Sequence, residues 1–210
     1  MAIQGSSLLL TVVLIAIILI SLSVHEFAHA FIANLFGDPT AKHEGRLTIN
    51  PAAHWDPIGT TILVVLIALN TLGLATLPIF GWGKPVPINE SNFENPRWHG
   101  LQTAIAGPMS NFIFALLLAL VLKFTHLPDV GVGMLVIAIS INLFLMFFNL
   151  LPIPPLDGSR ILRLFMSERL YYALASNPLF LFAAIFLVIG FLGNYLLSAT
   201  EYLTRLFLSI

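Results

Sequence analysis

The chain has 210 residues, of which 58% are hydrophobic and only 9% are charged, and its formal net charge is −1. A soluble domain carries about 25% charged residues, so this composition predicts an integral membrane protein in contact with a lipid bilayer. The sequence has no cysteine, which excludes disulfides and thiolate metal sites, and it has no basic block, so we expect no nucleic-acid partner.

Five apolar segments follow one another along the chain, and each is long enough to enter a bilayer. They lie at about residues 7–36, 58–80, 101–124, 132–151 and 178–200. They predict an all-α, polytopic helical bundle with about four to five spanning segments. We expect a single domain over residues 1–210, with its core at about 7–165 and an additional C-terminal helix at about 178–210.

The positions of the nine Lys and Arg residues bear on how the second segment enters the membrane. If all five segments cross, the basic residues divide four to five between the two sides; if residues 58–80 turn back, they divide seven to two. Because basic residues collect on the cytoplasmic side, we predict a re-entrant segment at 58–80 and an external N-terminus.

The strongest motif is His25-Glu26-Phe27-Ala28-His29, at the end of the first apolar segment. Residues four apart lie on one face of a helix, so both imidazoles can reach one Zn²⁺ at ~2.0–2.1 Å. The Glu between them is placed to act as a general base. An ionisable residue inside a bilayer costs ~2.5–3.5 kcal/mol, which favours a metal site over a pair of packing histidines.

A third metal ligand must come from another part of the chain. The candidates are the four Asp, the remaining Glu and the other four His. Asp157 stands out because it lies in NLLPIPPLDG, residues 149–158, whose prolines predict a broken helix near 149–157. Unwound backbone at membrane depth is tolerated where it lines a cavity. The alternative is that Asp157 caps a helix that begins near Ser159.

Two further expectations concern the segments between the apolar runs. Residues 160–172 predict an amphipathic helix that directs Arg163, Glu168 and Arg169 toward water. In the polar segment 41–57, we expect His54 to form a hydrogen bond that orders the loop rather than to act in the site.

Taken together, these motifs resemble the site-2 protease family of intramembrane zinc metalloproteases, in its short prokaryotic form without PDZ or CBS domains. Further similar stretches are GPMSN at 107–111, GWGKPVP at 81–87 and GRLTINPAAHWDPIG at 45–59. The resemblance implies one Zn²⁺ per chain, bound by His25, His29 and Asp157, with Glu26 as general base. It also implies that Asn149 holds the substrate strand or the tetrahedral intermediate, although a helix-terminal Asn can equally satisfy freed carbonyl groups.

We therefore predict a zinc-dependent endopeptidase that hydrolyses a peptide bond in or near a transmembrane segment of a substrate protein. Such an enzyme would be a multi-pass protein of a prokaryotic plasma or inner membrane, with its active site nearer the cytoplasmic side. The alternatives are a membrane metal transporter and a catalytically silent substrate-binding scaffold. A homo-oligomer and a regulatory membrane partner both stay open.

Overall fold

The computed structural model describes residues 2–209, so Met1 and Ile210, the ends of the predicted domain, lie outside it. All regular structure in the described residues is helical. The α-helices are α1 (Ala2–Leu35), α2 (Thr40–His43), α3 (Gly59–Thr71), α4 (Pro96–Phe124), α5 (Asp129–Asn149), α6 (Glu168–Ala175), α7 (Pro178–Leu187) and α8 (Gly193–Leu208). Short 3-10 turns lie at Pro51–His54, Glu90–Asn92 and Asp157–Leu164, and a π-helical turn at Val188–Leu192 joins α7 to α8.

Three of these helices are long and apolar enough to cross a membrane. They are the Ser7–Leu35 part of α1, with 29 residues, α4, with 29, and α5, with 21. At a rise of ~1.5 Å per residue, each exceeds the ~30 Å thickness of a hydrocarbon core. The prediction of an all-α, polytopic membrane protein is confirmed.

Helix α3 is apolar but shorter, and the chain reverses just after it. Its 13 residues extend for only about 20 Å. Gly73 adopts a positive φ of 68°, which glycine tolerates without strain. The Asn70 side chain then bonds to both the N–H and the carbonyl of Leu77, each at 3.0 Å. A short helix followed by a reversal is compatible with a re-entrant segment at 58–80, which stays a prediction.

The predicted proline break lies where α5 ends. The helix stops at Asn149, and the three prolines that follow carry the chain without regular helix to Asp157, which begins a 3-10 turn. Proline lacks an N–H and cannot continue an α-helix. The break is therefore confirmed, and it brings Asp157 out of the helical register of α5.

The predicted continuous amphipathic helix at 160–172 is wrong. The 3-10 turn ends at Leu164, and α6 begins at Glu168 after Ser167, whose side chain caps its N-terminus. Arg163, which we expected to face water, is only 3% exposed. Arg163 can be buried because its charge is paired. Its guanidinium donates to Glu90 at 2.7 Å and to Glu168 at 2.8 Å.

Helix packing places α4 at the centre of the bundle. It lies against both α1 and α5, which also contact each other, and α5 packs against α8 as well. The α4–α5–α8 contact is an apolar cluster made by Ala115, Ala119, Ile139, Leu143 and Phe207. Elsewhere along its length, at Gly107, α4 meets the part of α1 that carries the two histidines, and this contact builds the site.

Candidate metal centre

His25, His29 and Asp157 bring three ligand atoms together. The two histidine Nε2 atoms are 3.0 Å apart, and Asp157 Oδ2 lies 3.0 Å from His25 Nε2 and 3.4 Å from His29 Nε2. In a tetrahedral zinc site with bonds of ~2.0–2.1 Å, neighbouring ligand atoms are about 3.3–3.4 Å apart. The triangle is therefore close to the size of a tetrahedral zinc site, with two of its edges slightly shorter.

The other nitrogen of each imidazole is held by an oxygen that can only accept. His25 Nδ1 lies 2.6 Å from Asn111 Oδ1, and His29 Nδ1 lies 2.7 Å from the main-chain oxygen of Thr103. Each Nδ1 must therefore carry a proton, so that in the neutral imidazole the lone pair is on Nε2, the nitrogen that faces the triangle. Neutral imidazoles held in this way are the form that binds a metal.

Asp157 reaches the histidines because of the turn that it begins. Its carboxylate does not cap that turn: the N-cap position belongs to Leu156, and no side-chain cap bond forms. The next residue must be glycine, because a Cβ at Gly158 would lie 2.1 Å from the main-chain oxygen of Leu150. This close approach folds the turn back against the end of α5 and directs the carboxylate toward α1.

Glu26 faces the same cavity as His29 and Asp157. The cavity has a volume of about 170 Å³ and is lined by Glu26, His29, Val86, Glu90, Asp157 and Arg160, among others. The main-chain N–H of Val86 donates to Glu26 Oε2 at 2.9 Å. Because Pro85 and Pro87 have no N–H, this is the single main-chain donor of the three residues. One carboxylate oxygen is thus fixed, and the other stays available for proton transfer.

The segment that carries Val86 is held at its start by a buried arginine. Arg46 is 4% exposed, and its Nη2 donates to the main-chain oxygen of Lys84 at 2.6 Å. His54 lies beside it, with Nδ1 at 3.4 Å from the same Nη2 and Nε2 donating to Thr48 O at 2.7 Å. His54 therefore orders its loop, as expected, and lies outside the ligand triangle.

The far end of the same segment is held by Asp38, which follows α1. Its side chain is fully buried and accepts hydrogen bonds from Thr40, from the Asn92 amide at 2.8 Å and from the main-chain N–H of Asn89 at 2.7 Å. Burial alone would raise the pKa of this carboxyl, but these hydrogen bonds hold it below its ordinary value. Asp38 thus joins the end of α1 to the segment that positions Glu26.

The Asp38→Asn variant is expected to be less stable than the parent chain at pH 7 by about 1–3 kcal/mol, since an amide nitrogen would face a buried N–H. A folded-state pKa below the unfolded value of about 3.9 adds stability above that pH. This contribution is lost as the pH falls through the folded-state pKa, so the two proteins should converge in acid. Unfolding in detergent at pH 7 and near pH 3 measures the difference. Equal stability at pH 7, or a gap that widens in acid, would contradict this role.

Helix α4 comes close to both histidines at Gly107. A Cβ at this position would lie 2.4 Å from His29 Nε2 and 2.7 Å from His25 Cε1. Only a hydrogen at this position leaves room for the two rings, so the glycine sets how closely α4 and α1 approach at the triangle.

The Gly107→Ala variant is expected to bind zinc at least about ten-fold more weakly, since the methyl group displaces the ligand rings. Alanine favours a helix over glycine by ~1 kcal/mol, so loss of helix cannot explain a loss of zinc. Gly133→Ala is the matched control, because its Cβ would meet nothing within 4 Å. Zinc competition titrations compare the two variants. Unchanged zinc affinity in Gly107→Ala would contradict this prediction, since it would show that the two imidazole rings can accommodate the methyl group.

Asn149 lies at the last position of α5. Its amide donates to the main-chain oxygen of Leu145, one turn earlier, at 3.0 Å. This is the bond of a helix-terminal Asn that satisfies a carbonyl of its own helix. A role in holding substrate stays a prediction.

No role at the site was predicted from sequence for Asn111, Asn142 or Ser21, of which Asn111 bonds to His25 and the other two support Asn111. A signal for the first two was present, because each is an amide inside an apolar segment. Polar residues at membrane depth are costly and pair with one another or with a site. Val86 gave no signal, since its contribution comes from the main chain.

Sequence comparisons relate the chain to known proteins. Residues 129–192 match the model of Peptidase family M50. "Putative zinc metalloprotease YwhC" of Bacillus subtilis is 41% identical over 160 residues, which cover 71% of this chain and 67% of that protein. "Putative zinc metalloprotease Rip2" of Mycobacterium tuberculosis is 34% identical over 186 residues, covering 87% of this chain and 67% of the relative. "Zinc metalloprotease MJ0392" of Methanocaldococcus jannaschii is 27% identical over 160 residues, covering 76% and 36%. No solved structure matches the chain.

Proposed function

The chain belongs to peptidase family M50, the site-2 protease family of zinc metalloproteases, and from this premise we propose that it hydrolyses a peptide bond in or near a transmembrane segment of another protein. The observation that carries the proposal is the ligand triangle together with Glu26 on one cavity. Because α1 is a membrane helix, this cavity meets substrates that are themselves in the membrane.

We propose that His25, His29 and Asp157 hold one zinc ion per chain. The two Nε2 atoms and Asp157 Oδ2 lie within 3.4 Å of one another, and each Nδ1 already faces an acceptor. When bound, zinc would polarise the scissile carbonyl and lower the pKa of water toward ~7. Three protein ligands leave the fourth position of a tetrahedral ion open, which is the arrangement of a catalytic site.

Glu26 is the proposed general base and acid. The Val86 N–H fixes Oε2, so the second oxygen can accept a proton from the attacking water and deliver it to the leaving amine. Arg46 and Asp38 fix the segment on either side of Val86. These anchors keep the carboxylate directed at the cavity.

The substrate must be unwound before it can react, because a helical backbone keeps its carbonyl groups in internal hydrogen bonds. We propose that the non-helical segment at 149–157 and the loop at 41–57 pair with the unwound strand through main-chain hydrogen bonds. Asn149 would help to hold this strand by turning its amide from Leu145 O toward the cavity.

The proposed setting is the plasma or inner membrane of a prokaryotic cell, with one catalytic domain and water reaching the cavity from the cytoplasmic side. The distribution of Lys and Arg supports this orientation, since a re-entrant segment at 58–80 places seven of the nine on one side. The shortness of α3 is consistent with such a segment.

The test uses the full chain, purified and reconstituted into liposomes with a panel of single-span fusion proteins whose spans contain helix-breaking Gly, Pro or Asn. Cleavage should stop when a chelator removes zinc and return when zinc is restored. A zinc-sensitive dye inside the liposomes distinguishes the main rival: zinc entry without cleavage would favour a transporter. Bound zinc with neither activity would favour a silent scaffold.

A further inference from the structure

A chain of buried polar side chains lies behind His25, outside the cavity that Glu26 faces. It consists of Ser21 on α1, Asn111 on α4 and Asn142 on α5, and all three are fully buried. Each comes from a different membrane-spanning helix. Together they connect the bundle centre to the ring nitrogen of His25 that faces away from the triangle.

The hydrogen bonds fix which way each amide points. Asn142 Nδ2 donates to Ser21 Oγ and to Ala138 O, each at 2.9 Å. Asn111 Nδ2 donates to Asn142 Oδ1 at 2.9 Å and to Ser21 O at 3.2 Å. If Asn111 were turned over, its oxygen would face two other oxygens and both bonds would be lost. The network therefore directs Asn111 Oδ1 at His25.

We propose that Asn111 is a positioning residue for the metal site, which selects the tautomer and the ring orientation of His25, and that Asn142 and Ser21 hold it in that role. An amide oxygen only accepts, so His25 Nδ1, at 2.6 Å, must donate, and the bare Nε2 then faces Asp157. Partners of this kind tune metal affinity because they fix the ligand before the metal arrives. The inference rests on the metal site proposed above.

The two histidines differ in what holds them. His29 is held by a main-chain oxygen, that of Thr103, which a side-chain substitution cannot remove. The tautomer of His25 depends on the Asn111 side chain, so this half of the site can be tested by mutation. The competing explanation is that the amides only bind the three helices together, since polar pairs between membrane helices contribute to packing.

The experiment titrates Co²⁺ into the purified, metal-free full chain and records its visible absorption, which reports ligand number and geometry. Asn111→Leu keeps the branched shape and removes the acceptor, whereas Asn111→Asp keeps the Oδ1 acceptor but cannot donate to Asn142 Oδ1 and Ser21 O. We expect Asn111→Leu to bind Co²⁺ about 10–100-fold more weakly, with altered bands, and Asn111→Asp to recover part of the affinity. Ser140→Ala is the matched control, since Ser140 lies on α5 but bonds to Thr204 of α8; it should bind as the parent chain does.

The outcomes separate the two proposals. If the parent chain binds no Co²⁺, the metal site itself is wrong and this inference fails with it. If the parent chain binds and Asn111→Leu matches it in affinity and spectrum, only the positioning role is overturned. If Asn111→Asp binds no more tightly than Asn111→Leu, restoring an acceptor opposite His25 has no effect, and the positioning role is likewise overturned.

Circular dichroism and thermal unfolding establish that each variant is folded. Should Asn111→Leu not fold, Asn142→Ala decides, since it leaves Asn111 in place without its support. A several-fold loss of affinity with shifted bands supports the inference, and unchanged binding overturns it.

Discussion

The Glu26→Gln variant should retain zinc and lose cleavage by about 10²–10⁴-fold, the contribution of a positioned general base. Glutamine has nearly the same shape, and its amide oxygen can still accept the Val86 N–H that now bonds to Oε2. What it cannot do is take a proton from water at neutral pH. Initial cleavage rates and zinc per chain, measured on the same preparation, separate the chemical step from metal binding.

The matched control for this variant is Glu44→Gln, which makes the same chemical change at an exposed position. It should cleave at the parental rate. Cleavage that survives in Glu26→Gln would remove Glu26 from the role of base. Zinc lost from Glu26→Gln would instead mean that Glu26 helps to hold the metal.

The second large effect is expected at Asp157. Asp157→Asn is nearly isosteric but replaces a carboxylate by a neutral amide, leaving two imidazoles as the only strong ligands. Zinc affinity should fall by more than the ~10–100-fold typical of residues that support a ligand, because a ligand itself is lost. Competition with a zinc indicator in detergent measures the change, and cleavage should fall in parallel.

Asp129→Asn serves as its control, because Asp129 begins α5 at an exposed position far along the helix from its Asn149 end. It should leave zinc affinity unchanged. If Asp157→Asn holds zinc as tightly as the parent chain, the third ligand is another residue and the triangle is misassigned.

The histidine pair could be predicted from sequence because it depends on helix periodicity alone. Residues four apart in a helix must lie on one face, and the structure places His25 Nε2 and His29 Nε2 3.0 Å apart. Asp157 is 132 residues from His25, and no spacing rule connects them. The prolines before it predicted the break in α5, but only the resemblance to a known family assigned its carboxylate to the metal.

The contacts between helices were beyond sequence reasoning. Helix α4 is apolar on most of its faces, so its pattern does not say which side meets α1. The close approach at Gly107 and the bond from His25 to Asn111 depend on how the helices are rotated against each other. The exposure predicted for Arg163 was wrong for a related reason. A charged residue in an amphipathic pattern is expected to face water, but here the carboxylate of Glu90, which is distant in sequence, pairs with it.

For the loop before α4, the residue types indicate the conformation but not the contacts that fix it. Residues 81–89 are not helical, which is the conformation that their prolines and glycines favour. The anchors that fix it, Arg46 and Asp38, come from other loops, and their geometry follows from the whole fold. The hydrogen bond from the Val86 main chain to Glu26 could not be predicted from the residue type at position 86, because any residue except proline could supply that N–H.

The most direct test of the central claim is to map the bond that is cut. Mass spectrometry of the products from a cleaved single-span protein, after reconstitution with the chain and zinc, identifies the scissile residue pair. We predict a single cut within or next to the span, and no cut when the Glu26→Gln variant is used or when a chelator is added. A cut in a soluble region far from the span, or the same cut in both controls, would contradict it.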